Sequence, residues 1–179
     1  MRPIQILVNR DDVLRLDTQL CFLLYAASRA VTQAYAPLLA PLGLTYPQYL
    51  TMLALWEEDG ATVGRLGSRL RLDSGTLTPL IKRLEALELV ERRRSESDER
   101  VVHVHLTAAG RRLRSKALGV PSAMFCSTGL SLSGAERLGS ELRRILATLN
   151  ESTTPADPQG ATAPSSSTTK TDSQKESDS

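Results

Sequence analysis

The chain has 179 residues, 41% of them hydrophobic and 23% charged, with two cysteines and a formal net charge of +2. Length and apolar content allow one well-buried domain, two widely spaced cysteines exclude a disulfide scaffold, and the mild positive charge permits a nucleic-acid partner without requiring one. The longest apolar run, Leu20 to Ala27, is far short of the ~20 residues of a spanning helix, and the start "MRPIQILVNRDD" lacks a signal peptide's apolar region. A cytoplasmic protein with free thiols and no membrane contact is expected.

In chain order, residues 1–13 read as an N-terminal extension. Leu16, Leu20, Leu23, Leu24, Ala27 and Val31 then recur at helical spacing, which predicts a first helix from about Leu14 to Leu39, stopped by Pro41 and Gly43. A second helix follows with Thr45 as N-cap, Pro47 in its first turn and Gly60 as its stop. Residues 62–72 predict a short third helix with Val63, Leu66 and Leu70 inward. A fourth opens with Asp73 as cap and carries Leu77, Leu80, Ile81, Leu84 and Leu87 on one face. The pair has the outline of a helix-turn-helix.

The period then changes. Leu89–Arg94 and Arg100–Leu106 read as strands, with Val102, Val104 and Leu106 alternating with Val101, His103 and His105 across the polar connector "SESDE". A hairpin in this place is a wing. Helix resumes after Thr107, and a last amphipathic helix runs through Leu132, Leu138, Leu142, Ile145 and Leu149. The fold class expected is mainly α with a small β-hairpin: a winged helix-turn-helix over 14–151 with N- and C-terminal helices that pair in a homodimer. Residues 152–179, rich in Ser, Thr and Pro, read as a disordered tail.

Between Lys82 and Arg114 the cations Lys82, Arg83, Arg92, Arg93, Arg94, Arg100, Arg111, Arg112 and Arg114 gather around the fourth helix and hairpin. The plain alternative, a solvated face with interspersed glutamates, does not account for the coincidence of helix pair, wing and cations. Ser74, Gly75, Thr76 and Thr78 are small enough to let the start of the fourth helix approach a major groove, with Lys82 and Arg83 behind them. Pro79 removes an interior hydrogen bond there. Either one helix runs through it with a kink, the reading favoured here, or the helix begins with Thr78 as cap.

"LDSGTLTPLIKRLEALELVERRRSESDERVVHVHLTAAG", residues 72–110, resembles the DNA-binding segment of the MarR family of bacterial regulators, with Asp98-x-Arg100, Leu106-Thr107 and Gly110 matching its wing signature. The resemblance implies binding to an inverted-repeat DNA operator, with Arg100 entering the minor groove, oriented by Asp98. Within the family, "LCFLLYAASRA" resembles the organic-hydroperoxide-sensing OhrR subgroup. That implies a repressor that releases its operator once Cys21 is oxidised, with Tyr35 and Tyr46 hydrogen-bonding the sulfur. It also implies that Cys126 resolves the oxidised sulfur as a disulfide to the other subunit.

Tyr35 lies 14 residues after Cys21 on one predicted helix, about 21 Å away at ~1.5 Å per residue. If they meet, they meet across a dimer, and Tyr46 can come from the same partner. Phe22, Leu23 and Leu24 suit an apolar hydroperoxide better than hydrogen peroxide. On residue type alone Cys21 and Cys126 are equally at home as small buried hydrophobes. Two other readings therefore stand: a MarR-type regulator induced by a small apolar or phenolic ligand with Cys21 inert, and a thiol peroxidase, for which Arg29 is the nearby cation. No cofactor is implied. The His103-x-His105 pair has no further ligand near in sequence to make a metal site, and Trp56 reads as core or interface filling.

Overall fold

The computed structural model describes residues 14–153. The extension 1–13 and nearly all of the tail 152–179 lie outside that range. The elements are α1 (Leu20–Leu39), α2 (Tyr46–Glu57), α3 (Val63–Leu70), α4 (Ser74–Ala86), β1 (Val90–Arg94), β2 (Val102–Leu106), α5 (Ala108–Ala117), α6 (Val120–Ser127) and α7 (Leu132–Thr153). None of the helices among the described residues is long and apolar enough to cross a membrane. Residues up to Leu130 form one compact unit, and α7 belongs to a second.

The first helix is shorter than the sequence predicts. Leu16–Thr18 is a separate 3-10 turn, and Gln19 has extended backbone, so α1 begins at Leu20. Apolar spacing from Leu16 onward does not distinguish a tight turn from the first turn of a helix, since i and i+3 share a face in both. At the other end Ala40–Leu42 forms a second 3-10 turn, and Gly43 closes it at φ 67°, a left-handed conformation that favours glycine. Thr45 then caps α2: its backbone N–H donates to Gln48 Oε1 at 2.8 Å and its hydroxyl to the same oxygen at 3.0 Å.

Thr62 caps α3 by accepting from the Arg65 N–H, and Arg71 ends it in the left-handed region at φ 55°. Asp73 caps α4, which runs without interruption through Pro79. The second sequence reading, a start at Thr78, is thus set aside. Pro79 withholds the N–H that would reach the Gly75 carbonyl, a group exposed enough to be served by water.

β1 and β2 pair antiparallel in the register Val90 to Leu106 through Arg94 to Val102. The alternation is as read: Val104 and Leu106 are buried, while His103 and His105 are half-buried on the other face. The strand starts at Val102, however, and Arg100 stands in the turn before it.

The core of the first unit joins Leu39, Met52, Leu55, Leu66, Leu77, Ile81, Leu84 and Val104, each no more than 1% exposed. Fully burying a side chain of this size contributes about 1.5–3 kcal/mol. This core holds α4 and the hairpin to α2. Gly110, next to the start of α5, sits so close to the hairpin base that a Cβ would collide with the Leu89 carbonyl oxygen. α7, taken by itself, is amphipathic: Leu142 and Ile145 are half-buried, whereas Leu138 and Leu149 are exposed.

Candidate functional site: a nucleic-acid face and a phenol pair

The nucleic-acid candidates fall on α4 and the hairpin turn. Asp73 Oδ1 accepts the Thr76 N–H at 2.8 Å and Asp73 Oδ2 accepts the Thr76 hydroxyl at 2.9 Å. These hydrogen bonds hold the Asp73 carboxyl below the ordinary aspartate range. With its proton given to Asp73, the hydroxyl of the exposed Thr76 keeps its capacity as an acceptor. Ser74 and Gly75 are exposed beside it, and Lys82 and Arg83 are exposed further along the same helix. Thr78 is half-buried. It lines a groove of about 380 Å³ together with Arg92, Arg100 and the apolar Val63, Ile81 and Val102. The groove thus brings recognition helix and hairpin turn to one place.

Two of the candidate residues make contacts that the sequence alone does not specify. Arg92 Nε donates to Glu85 Oε2 at 2.8 Å, and its backbone N–H reaches the other carboxylate oxygen. The Arg92 side-chain bond is the main cause that holds Glu85 below the ordinary glutamate range. Arg92 therefore binds α4 to β1, and a phosphate reaches it only in competition with Glu85. Asp98 Oδ1 accepts the Arg100 backbone N–H at 2.9 Å, and the Asp98 carbonyl accepts from Val101 N at 2.9 Å. What Asp98 orients is the turn that carries Arg100. The Arg100 side chain is exposed.

The thiol and phenol candidates are positioned by the α1–α2 corner. Gly43 and the Thr45–Gln48 cap turn the chain back so that Tyr46, the first residue of α2, stacks on Tyr35 of α1 with ring centroids 4.5 Å apart and planes 24° apart. Tyr49 lies 5.8 Å from Tyr35. Burial raises the pKa of all three phenols above its ordinary value, and the neighbouring ring of Tyr46 adds to the effect at Tyr35 and Tyr49. They remain O–H donors across the physiological range. Cys21, in the first turn of α1, and Cys126, on α6, are both free and exposed. Because α1 is unbroken from Leu20 to Leu39, Cys21 stays about 21 Å from the Tyr35 of its own chain. The structure brings the two tyrosines together and keeps the chain's own sulfur away from them.

Three features escaped the sequence reading. Tyr25 and Arg29 follow Cys21 at one-turn intervals, with the guanidinium 5.7 Å from the Tyr25 ring centroid. The i, i+4 spacing was a readable signal. Asp59 ties three elements together: Oδ1 accepts the Leu106 N–H at 2.8 Å and Oδ2 accepts from Arg111 at 2.6 Å. Trp56 Nε1 donates to the Gly110 carbonyl at 2.9 Å. Those last partners are dozens of residues apart, and nothing local announces them. Among the described residues no group of three or more His, Cys, Asp or Glu side chains is arranged to hold a metal ion.

Residues 33–116 match the family described as transcriptional regulator SarA/Rot. The chain is 47% identical over 143 residues to the organic hydroperoxide resistance transcriptional regulator of Bacillus subtilis, covering 80% of this chain and 97% of that protein. Among solved structures, reduced AbfR bound to DNA superposes with a TM-score of 0.66 at 36% identity, covering 79% of this chain and 99% of the other. AbfR with a disulfide formed superposes with a TM-score of 0.55 at 36% identity, covering 76% and 96%.

Proposed function

The chain belongs to the SarA/Rot/MarR-type winged-helix transcriptional regulators, and from that premise we propose that it is a homodimeric repressor that senses organic hydroperoxides through Cys21 and then releases its operator. One observation carries the sensor reading: Tyr35 and Tyr46 are stacked as a pair of neutral phenol donors within one chain, out of reach of that chain's own Cys21. A pair so placed serves the Cys21 of a second subunit whose first helix crosses antiparallel. The two phenol O–H groups donate to the thiolate and hold it where an oxidant arrives.

The chemistry follows in two steps. The Cys21 thiolate attacks the terminal oxygen of the hydroperoxide. An S–O bond forms, the O–O bond breaks, sulfur is oxidised to sulfenic acid and the alkoxide leaves as the alcohol after taking a proton. The Cys126 thiol of the other subunit then attacks the sulfenic sulfur, giving a disulfide and water. The disulfide-formed AbfR structure supports the second step by likeness. Because disulfide Cα atoms stand ~4.4–6.8 Å apart, closing that bond moves α6 against the opposite α1, and the two recognition helices lose their spacing on DNA.

DNA recognition on this reading uses Ser74, Gly75, Thr76 and Thr78 in the major groove, Lys82 and Arg83 on phosphates, and Arg100 in the minor groove with its turn set by Asp98. A band-shift with duplex selected on the reduced protein, with and without cumene hydroperoxide, tests it. Wild type releases the duplex on oxidation and Cys21→Ser keeps it. If Cys21→Ser releases like wild type, Cys21 is not the sensor. Oxidised wild type runs as a covalent dimer on a non-reducing gel and Cys126→Ser does not; release without that band removes Cys126 from the switch.

A further inference from the structure

From the two tyrosines an aromatic series leads into the DNA-binding half. Tyr49 is 5.8 Å from Tyr35, and Trp56 packs edge-on against Tyr49 at 6.4 Å, with planes 71° apart. The indole N–H then donates to the Gly110 carbonyl at 2.9 Å. Gly110 is itself fixed on the other side: its N–H donates to the Thr107 hydroxyl at 3.0 Å, and that hydroxyl donates to the Glu88 carbonyl at 2.6 Å. Thr107 N also donates to the Leu89 carbonyl at 3.1 Å. Glu88 and Leu89 join α4 to β1, so the series ends where recognition helix and hairpin meet.

Two features suit this series to transmitting a movement. A packed aromatic chain moves as discrete rearrangements because close-packed side chains do not deform continuously. And Tyr49 and Trp56 have somewhere to go: a groove of about 230 Å³, lined also by Leu53, Leu118 and Pro121, lies against both rings. On its far side, the clash that a Cβ at Gly110 would make with the Leu89 carbonyl shows that Gly110 has no slack. A shift of Trp56 therefore pulls directly on the hairpin base.

We propose that Trp56 is the positioning residue that couples Tyr35 and Tyr46 to the wing, through Tyr49 on one side and the Gly110 carbonyl on the other. The inference rests on the reading that oxidation at Cys21 acts on those tyrosines. When the partner's oxidised sulfur leaves the phenols, Tyr35 and Tyr46 repack, Tyr49 and Trp56 follow, and the indole hydrogen bond carries the movement to the α4–β1 junction.

The test uses the full-length protein, a selected operator duplex and cumene hydroperoxide. Trp56→Phe keeps a ring against Tyr49 and deletes the N–H. The expected result is reduced-state affinity and the rate of Cys21 sulfenic acid trapping by dimedone both within about twofold of wild type, with the ratio of reduced to oxidised affinity falling about fivefold, the worth of one hydrogen bond. Tyr49→Leu has the same effect on that ratio and Tyr49→Phe restores it, because the ring and not the phenol is required. Trp56 is the single tryptophan of the chain, so emission changes on oxidation of wild type and does not in Cys21→Ser. An unchanged affinity ratio in Trp56→Phe overturns the proposal, as does a loss of reduced-state affinity equal to the loss of response, which marks Trp56 as packing alone. If instead Cys21→Ser responds to hydroperoxide like wild type, the sensor reading fails first, and that outcome is distinct from either of these.

Discussion

α1 and α4 carry similar aliphatic side chains and treat them in opposite ways. In α4, Leu77, Leu80, Ile81 and Leu84 are each no more than 8% exposed within the single chain. In α1 only Leu39 is buried, and Leu20 and Leu23 are 60% and 56% exposed. The DNA-reading half completes its own core, whereas the N-terminal half of α1 waits for apolar surface from elsewhere. Covering that surface contributes ~25 cal/mol per Å². The difference teaches where each function resides: a reading helix works as a property of one fold, whereas on the reading proposed above a sulfur about 21 Å from Tyr35 of its own chain works only as a property of two chains.

The sharpest way to break this contrast is to damage the completed half. Gly110→Val forces a side chain into the Leu89 carbonyl and displaces the Trp56 contact. A loss of about 3 kcal/mol is expected, an overpacking cost at the upper end, or a drop of roughly 6–12 °C in Tm for a chain this long. Operator binding falls with it. Tyr35→Phe, at a half-buried position on the edge of the same core, keeps the ring and is expected to change stability by less than ~0.5 kcal/mol. Thermal melts of the two variants side by side check the claim; equal losses would mean that the Tyr35 hydroxyl, and not only its ring, holds the core together.

Next come changes that separate the functions without touching the folds. Arg100→Ala removes an exposed cation from the turn that Asp98 sets, two per dimer, so operator affinity is expected to fall at least about tenfold and the salt slope by up to about 1.8. Hydroperoxide oxidation of Cys21 stays as it was. Tyr46→Phe is the mirror case: operator affinity stays and oxidation slows by about tenfold, the loss of one hydrogen bond to a charged sulfur. Stopped-flow oxidation and a salt titration of binding, run on both variants, give four numbers. The contrast fails if either variant moves both readouts.

The sequence was legible where physics is local. Caps at Thr45, Asp73 and Thr107 all stand next to their helices, and the Val102–Leu106 alternation reports the buried face of a strand. It was less legible at Leu16–Thr18, where apolar spacing fits a 3-10 turn as well as a helix. Charge was the least legible feature. Arg92, Arg93 and Arg111 read as part of a phosphate-binding cluster, yet they pair with Glu85, Glu91 and Asp59. No single-residue signal distinguishes a cation aimed at solvent from one aimed at a neighbour brought close by folding. Tyr35 and Tyr46 were found by resemblance; their stacking needed the corner at Gly43. Tyr49 and Trp56 share a face of α2 two turns apart, but the meeting of Trp56 with Gly110 exists only in three dimensions.

The smallest effect expected lies inside the DNA-reading half, at Asp59, which ties β2 to α5. Burial works against its ionisation, but the Leu106 N–H and the Arg111 guanidinium outweigh it, and the carboxyl is held below its ordinary value. Its folded pKa is thus lower than its unfolded one, so the unfolded state binds the proton first. Stability from this group is fully present above the unfolded value of about 3.9 and is lost as pH falls through the folded value. With 34% of its side-chain surface exposed, the pair with Arg111 is screened and the effect is modest. Asp59→Asn keeps an acceptor for Leu106 and abolishes the charge. Urea unfolding should find the variant less stable than wild type by a constant margin from pH 7 to about pH 5, with the margin closing below about pH 4 as wild type loses what the variant never had. Salt should shrink the margin at neutral pH. A margin as wide at pH 3 as at pH 6 would show that the amide fails for reasons of shape, and that the charge on Asp59 does not join the hairpin to α5.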